Sequence, residues 1–460
     1  MLPGEVGSGE RRAYPDRRPA RRLGRRGSSS LGEADQTPWR GRNRVPTLDL
    51  SDARDPEEIS YELLANGTIE VEGRQVRYLA VEFSGIRWKG KRWSHRAWIF
   101  YSEGRDSELG AVVAGGPGPA GFKRFAVEFG ARAVAETCVP VLILFDVPNG
   151  QFGLEETELM ASSISKALET GDLTWHLVYP MAFAYSRAMT LESLLVPSHP
   201  SRFVLSGGSK RGLTTWIVAA YDDRVAAIAP RSYNGANLTA LLRSHYQAYG
   251  RPIGSLAVME AYGVLDRVNR SANVDDLLEV YDPVKHFDEL SIPVMVIFGT
   301  ADQLSPPAVE WTYAPYYHGP LWFEIVPNAT HTGLHSTERA AAAWRAFLAH
   351  VAGAAELPEV NVHVSHSTGG SAWVLAEVTC RCEILGVAAW TATSESLAGL
   401  VTAGWSPIRM TLEEGVWRAS IPVTKAYAGV FVEVRFSSGG VTGYASSPRF
   451  VIVEGGPARG

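Results

Sequence analysis

Six short runs, apolar but for Arg202 and Glu324, constrain the fold of this chain more than any other feature: residues 110–114, 139–145, 202–205, 225–229, 293–298 and 322–326. Each is too short for a buried helix and too uniformly apolar for a strand with one wet face, which predicts strands buried on both faces. Segments of helical character separate or follow them, at 122–136, 155–168, 177–195, 210–220 and 338–351. Strand–helix–strand alternation predicts a mostly parallel sheet with helices on both faces. Ahead of it, 59–101 alternates with a period of two and holds Asn66-Gly67 and Glu72-Gly73 as expected turns, so antiparallel strands should lead into the sheet.

The run ending at Leu205 passes into Ser206-Gly207-Gly208-Ser209-Lys210-Arg211-Gly212 and then a helix. A strand that turns sharply into a helix through small residues holds a serine hydroxyl exposed, as in the nucleophile elbow of α/β-hydrolases. The usual pattern is G-x-S-x-G; here the second glycine falls one place late. Alone, such a stretch is equally a glycine-rich loop. Two further groups change its weight. Asp302 follows the run 293–298, and His331 follows 322–326. All three lie past the C-terminal ends of predicted strands, where open parallel sheets bind ligands. Their chain order, Ser, Asp, His, is that of the α/β-hydrolases. A serine hydroxyl needs a base to take its proton, and the base needs a group to fix its tautomer. Ser209, His331 and Asp302 are the expected nucleophile, base and acid. Asp302 would equally cap the segment at Pro306-Pro307, and His335 is a rival base four residues beyond His331. His331-x-x-x-His335 lacks the glutamate of a zinc-binding H-E-x-x-H, so neither a metal nor a cofactor is expected.

The loop 115–121 (Gly-Gly-Pro-Gly-Pro-Ala-Gly) should supply one oxyanion-hole N–H and Lys210 the other. Pro117 and Pro119 have none, leaving Gly115, Gly116, Gly118 or Ala120, of which Gly116 is preferred. Lys210 and Arg211 set positive charge beside the serine. They either favour an anionic substrate or developing oxyanion, or pair with carboxylates such as Asp222 or Asp223. Residues 232–285 break the alternation with aromatic and polar residues, as a cap over an active site would. Arg211, Tyr233 and Asn234 are the expected substrate contacts.

At 460 residues the chain has room for two or three domains. Segment 1–45 is rich in paired arginines and poor in aliphatics, so disorder is expected there. It has no apolar core of a secretory signal, and no stretch reaches the roughly 20 apolar residues of a membrane span. That makes a cytoplasmic location the default. A net charge of −5 gives no general drive toward nucleic acid. Cys380 and Cys382 are expected on one face of a strand, a poor geometry for a disulfide. Segment 355–460 reads as short strands at 360–364, 371–379, 384–393, 415–422, 429–436 and 450–453, which predicts a small β-sandwich with Trp390, Trp405 and Trp417 as core candidates. It would serve either as a binding module or as a cover for apolar surface on a hydrolase domain at 46–354.

The stretch from Val204 to Trp216 resembles the S-G-A-S-K-R-G-W-T-T-W segment of the PhoPQ-activated pathogenicity-related family. Phe298-Gly299-Thr300-Ala301-Asp302-Gln303 is similar to that family's G-T-x-D-x-F, and Val326-Pro327-Asn328-Ala329-Thr330-His331 to its V-P-N-A-x-H. Gly208 stands where alanine is usual and Leu213 where tryptophan is usual. The resemblance, from about residue 94 onward, implies an α/β-hydrolase domain with a serine triad at Ser209, Asp302 and His331; its members are often exported. The expected function is hydrolysis of an ester or amide bond in a small-molecule or peptide substrate through an acyl-enzyme on Ser209. The alternative is a secreted or surface binding protein on the same scaffold with little turnover.

Overall fold

The computed structural model describes residues 47–116, 118, 122–365, 369–454 and 458–459; the arginine-rich segment 1–45 and Ala120 lie outside them. Strands β1 (Tyr61–Val71), β2 (Arg74–Trp88) and β3 (Lys91–Tyr101) form an antiparallel lead-in. Two-residue turns join them at Glu72-Gly73 and Lys89-Gly90, all four residues having positive φ, the backbone that matches the strands' own twist. Asn66-Gly67 is not a turn, contrary to expectation. Both residues lie inside β1, opposite Leu79 and Tyr78, and the Tyr78 ring lies where a Cβ on Gly67 would be, 2.9 Å away.

The apolar runs become β4 (Leu109–Ala114), β5 (Val141–Leu144), β6 (Arg202–Gly208), β7 (Val225–Arg231), β8 (Val294–Gly299) and β9 (Leu321–Val326). The sheet order is β1-β2-β3-β5-β4-β6-β7-β8-β9, parallel from β5 to β9. Successive side chains of a strand point to opposite faces, so each run feeds two cores. Val112, Leu205, Ile228 and Val296 pack with Tyr185 and Trp216 of helices Val178–Leu195 and Lys210–Tyr221. Val113, Val204, Ala227 and Ile297 pack on the other face with Trp344 and Phe347 of helix Glu338–Val351. Each fully buried Val, Leu, Ile or Phe contributes about 1.5–3 kcal/mol, which makes this double burial the main source of cohesion. The arrangement is α/β-hydrolase-like, a mostly parallel sheet with helices on both faces. The insertion after β7 forms helices Leu238–Tyr249, Ser255–Ala261, Val264–Val268 and Val274–Tyr281.

Beyond Val351 the chain is mostly β. Strands β10 (Glu359–Val364), β11 (Ser371–Thr379), β12 (Glu383–Ser394), β13 (Ser406–Arg409), β14 (Thr411–Glu413), β15 (Val416–Pro422), β16 (Tyr427–Ser438), β17 (Val441–Ser446) and β18 (Phe450–Val453) follow. One sheet runs β10-β11-β15-β14. The other, β17-β16-β12-β13, continues the central sheet, because Ser446 of β17 pairs antiparallel with Phe323 of β9. Of the three tryptophans, Trp405 is buried while Trp390 and Trp417 are only partly covered. Cys380 and Cys382 form a disulfide, a correction to the sequence expectation. They sit in the turn between β11 and β12, not within a strand, with a Cα separation of 5.2 Å that falls in the usual bridging range. No helix of the described residues is long and apolar enough to cross a membrane.

Candidate active site

β6 delivers Ser209 at its C-terminal end and the helix Lys210–Tyr221 begins at the next residue. Ser209 has φ 60° and ψ −125°, and its N–H donates to the Arg231 carbonyl at 2.8 Å. Such a backbone costs roughly 1–3 kcal/mol and persists only where its surroundings enforce it. Two glycines do so through close approach. A Cβ on Gly212 would lie 2.6 Å from the Cβ of Tyr233, and one on Gly208 would lie 2.6 Å from the ring of His335. The glycine at 208, where alanine is usual in the resembling family, thus makes room for an imidazole.

Asp302 follows β8, and its amide donates back to the Gly299 carbonyl. The carboxylate is 1% exposed. Its Oδ1 accepts from the Leu304 amide at 2.9 Å and its Oδ2 from His331 Nδ1 at 2.8 Å. Asp302 therefore caps the local turn and orients a histidine together. Because Nδ1 donates to Asp302, His331 Nε2 is left as the acceptor. The His331 carbonyl is itself held by Ser232 Oγ at 2.8 Å. Ser209 and His331 line one cavity of about 690 Å³, walled also by Gly116, Phe122, Glu156, Lys210, Gly254, Ser255 and Leu304. The last two cap-side residues, Gly254 and Ser255, come from the insertion after β7. His335 lines the cavity too, but its Nδ1 faces Arg231 Nη1 at 3.2 Å and not Asp302.

Two amides of the glycine-rich loop are already engaged. The Gly115 amide donates to the Leu144 carbonyl at 2.8 Å, and the Gly118 amide to Asp146 Oδ1 at 2.9 Å. Gly116 lines the cavity. The Lys210 amide opens its helix, where N–H groups have no intrahelical acceptor.

Lys210 and Arg211 both pair with a carboxylate, at 2.6 Å each, but the carboxylate is Glu156. Burial pushes the Glu156 carboxyl up, and Arg211 and Lys210 together outweigh it, leaving Glu156 below its ordinary range. Asp222 is instead bound by Arg224 and Ser186, and Asp223 by Arg54. Tyr233 and Asn234, expected as substrate contacts, do not line the cavity. The Tyr233 hydroxyl donates to the Gly235 carbonyl. Asn234 donates to Ser305 Oγ and Glu310 Oε2 and accepts from the Tyr313 hydroxyl. Its amide is fully engaged in holding the loop that follows Asp302.

That loop reveals partners absent from the sequence reading. Arg449, just before β18, donates from Nε to Glu310 Oε1 at 2.9 Å and from Nη2 to Glu310 Oε2 at 3.0 Å. Its Nη2 also reaches the Pro306 carbonyl at 2.9 Å. The loop carrying His331 is gripped similarly: the Asn328 side chain donates to the Trp405 carbonyl at 3.0 Å and accepts from the Trp405 amide at 2.9 Å. The C-terminal strands thus clamp both loops. Asn328 stands within the V-P-N-A-T-H segment, the one local signal that pointed near this contact.

The chain is similar to several known proteins. Autocrine proliferation repressor protein A of Dictyostelium discoideum is 28% identical over 187 residues, 38% of this chain; the match spans only 37% of that relative's length. Among solved structures, an acetyl xylan esterase from Paenibacillus sp. R4 aligns over 61% of this chain and 86% of its own, at 12% identity and a TM-score of 0.44. An S-formylglutathione hydrolase from Agrobacterium tumefaciens aligns over 62% and 98%, at 13% identity and a TM-score of 0.41. Residues 50–398 match the model of one family, and the chain belongs to it: the PhoPQ-activated pathogenicity-related proteins.

Proposed function

We propose that this protein is a serine hydrolase that cleaves an ester through an acyl-enzyme on Ser209. The observation that carries the reading is the 2.8 Å bond from His331 Nδ1 to buried Asp302, with the imidazole in the same cavity as a serine on a positive-φ elbow. In acylation His331 Nε2 takes the Ser209 proton while Oγ bonds to the ester carbonyl carbon. The tetrahedral oxyanion is held by the amides of Lys210 and Gly116. The carbon–oxygen bond to the alcohol then breaks, and the alcohol leaves with the proton from His331. Water repeats the cycle, its proton going to His331 and its oxygen to the acyl carbon, which releases the acid and restores Ser209. Asp302 stabilises the imidazolium in both halves. Amide hydrolysis uses the same steps, with His331 protonating an amine.

A fluorophosphonate probe tests this directly. The native protein should label at Ser209, and Ser209→Ala should abolish labelling and lower ester turnover by about 10³-fold or more. A folded native protein that fails to label, or labels equally after Ser209→Ala, sinks the catalytic reading and leaves the binding-protein alternative. His331→Ala should behave like Ser209→Ala; full activity there, with loss in His335→Ala, would move the base to His335.

A further inference from the structure

Arg231 ends β7 and lines the cavity while only 1% exposed. Nε donates to Ser206 Oγ at 3.0 Å, Nη2 to the Ala114 carbonyl at 3.2 Å, and Nη1 to His335 Nδ1 at 3.2 Å. Phe125 and Phe129 lie against the guanidinium at 4.8 and 4.5 Å. All these partners are neutral, and among the described residues no carboxylate pairs with Arg231. Buried charges are normally paired. The cavity as a whole repeats the imbalance. Lys210, Arg211 and Arg231 line it against one carboxylate, Glu156, which the first two already share. The Asp302 carboxylate is engaged by His331 and the Leu304 amide.

His335 carries that positive potential into the cavity. A guanidinium can only donate, so His335 Nδ1 is the acceptor and the ring proton sits on Nε2. Burial, reinforced by Arg231, pushes the His335 imidazole well below its ordinary range, which keeps it neutral and the tautomer single. Nε2–H is then a fixed donor. It lies beside Gly208, where a Cβ would come within 2.7 Å of it, one residue before the nucleophile. The Lys210 and Gly116 amides already serve the oxyanion in the proposed mechanism. The His335 donor, backed by an unmatched cation, therefore fits a second negative group in the part of the substrate that stays on Ser209.

We propose that the acyl part of the substrate bears a carboxylate, received by the Nε2–H of His335 with Arg231 behind it. This deepens the serine-hydrolase reading and rests on it. The test compares kcat/KM for p-nitrophenyl butyrate, mono-p-nitrophenyl succinate and 4-carboxyphenyl butyrate, which carry no carboxylate, one on the acyl side and one on the alcohol side. The native enzyme should prefer the succinate ester over the butyrate by about 10-fold or more, a size expected for hydrogen bonding to a charged group. His335→Phe should cut that preference about 10- to 100-fold. His335→Gln should keep most of it, since a carboxamide can accept from Arg231 and donate to the substrate. Thermal melts establish that each variant is folded. Free succinate should raise the melting temperature of the native protein and not of His335→Phe, a readout that needs no turnover. Equal losses on both acyl esters, a native preference for butyrate, or a preference carried by the carboxyphenyl ester would overturn the inference. Fluorophosphonate labelling keeps the two readings apart: a protein that labels at Ser209 but shows no acyl-carboxylate preference remains a hydrolase without this specificity.

Discussion

Arg231 in the cavity and Arg449 at the junction with the C-terminal strands are equally buried, each 1% exposed, and each rests against phenylalanine. Their partners differ. Arg449 meets Glu310 through two nitrogens, at 2.9 and 3.0 Å, and its remaining donors find backbone carbonyls. Arg231 meets a serine, a carbonyl and an imidazole. The same residue type therefore plays two parts. Where the charge is matched, it locks two segments of chain together. Where it is not, it leaves a positive field directed at a cavity. Burial pushes the Arg231 guanidinium down to about 9, which records how poorly its charge is matched while leaving it protonated at neutral pH.

The most severe test of this contrast is to remove each cation. Arg449→Met strands Glu310, which is 0% exposed, and should cost about 3–5 kcal/mol in urea-melt stability. Adding Glu310→Gln should recover part of that loss. Arg231→Met strands no anion and should cost less, about 1–3 kcal/mol for unsatisfied hydrogen-bond partners. Equal costs would mean that Arg231 is compensated in a way the geometry does not reveal, and the contrast would fail.

A smaller effect sharpens the clamp itself. Asn328→Ala leaves the Trp405 backbone without its side-chain partner and should cost about 1–2 kcal/mol. Because His331 is three residues on, kcat should fall more than KM changes if the clamp positions the base; a stability loss with both constants unmoved would make Asn328 a scaffold residue only.

The smallest effect concerns pH at the same junction. Glu324 of β9 and Glu433 of β16 are buried together, with Arg339 bonded to Glu433 at 3.1 Å. Burial raises both carboxyls, and Glu433 raises Glu324 further. A carboxyl raised on folding binds its proton more tightly in the folded state, so its favourable contribution is complete below the unfolded pKa and is lost as pH rises through the folded one. Native stability should therefore decline as pH rises above the ordinary glutamate range, and Glu324→Gln should flatten that decline. An unchanged slope would show that the carboxyls do not titrate there.

The parallel core was legible in the sequence because its signals are local. Six apolar runs became β4 to β9, and the residues just past β6, β8 and β9 proved to be Ser209, Asp302 and His331, with Ser209 and His331 facing one cavity and Asp302 bonded to His331. The glycine positions were readable too, though the reason for Gly208 was not, since His335 reaches it from 127 positions away. Glu156 was missed as the partner of Lys210 and Arg211 for the same reason. Strand β17 was missed because Val-Thr-Gly-Tyr-Ala-Ser has little apolar alternation; its strand character comes from pairing with β16 and β9.

By itself, the sequence determined what short-range sterics and periodicity can encode: buried strands, the helices between them, the sharp turn at Ser209 and the order of the chemical groups. Tertiary structure alone decided which charges meet. Arg449 and Glu310 are 139 positions apart and Arg231 and His335 are 104 apart. No local pattern distinguishes a matched arginine from an unmatched one, because the electrostatic energy depends on what the fold brings within a few ångströms.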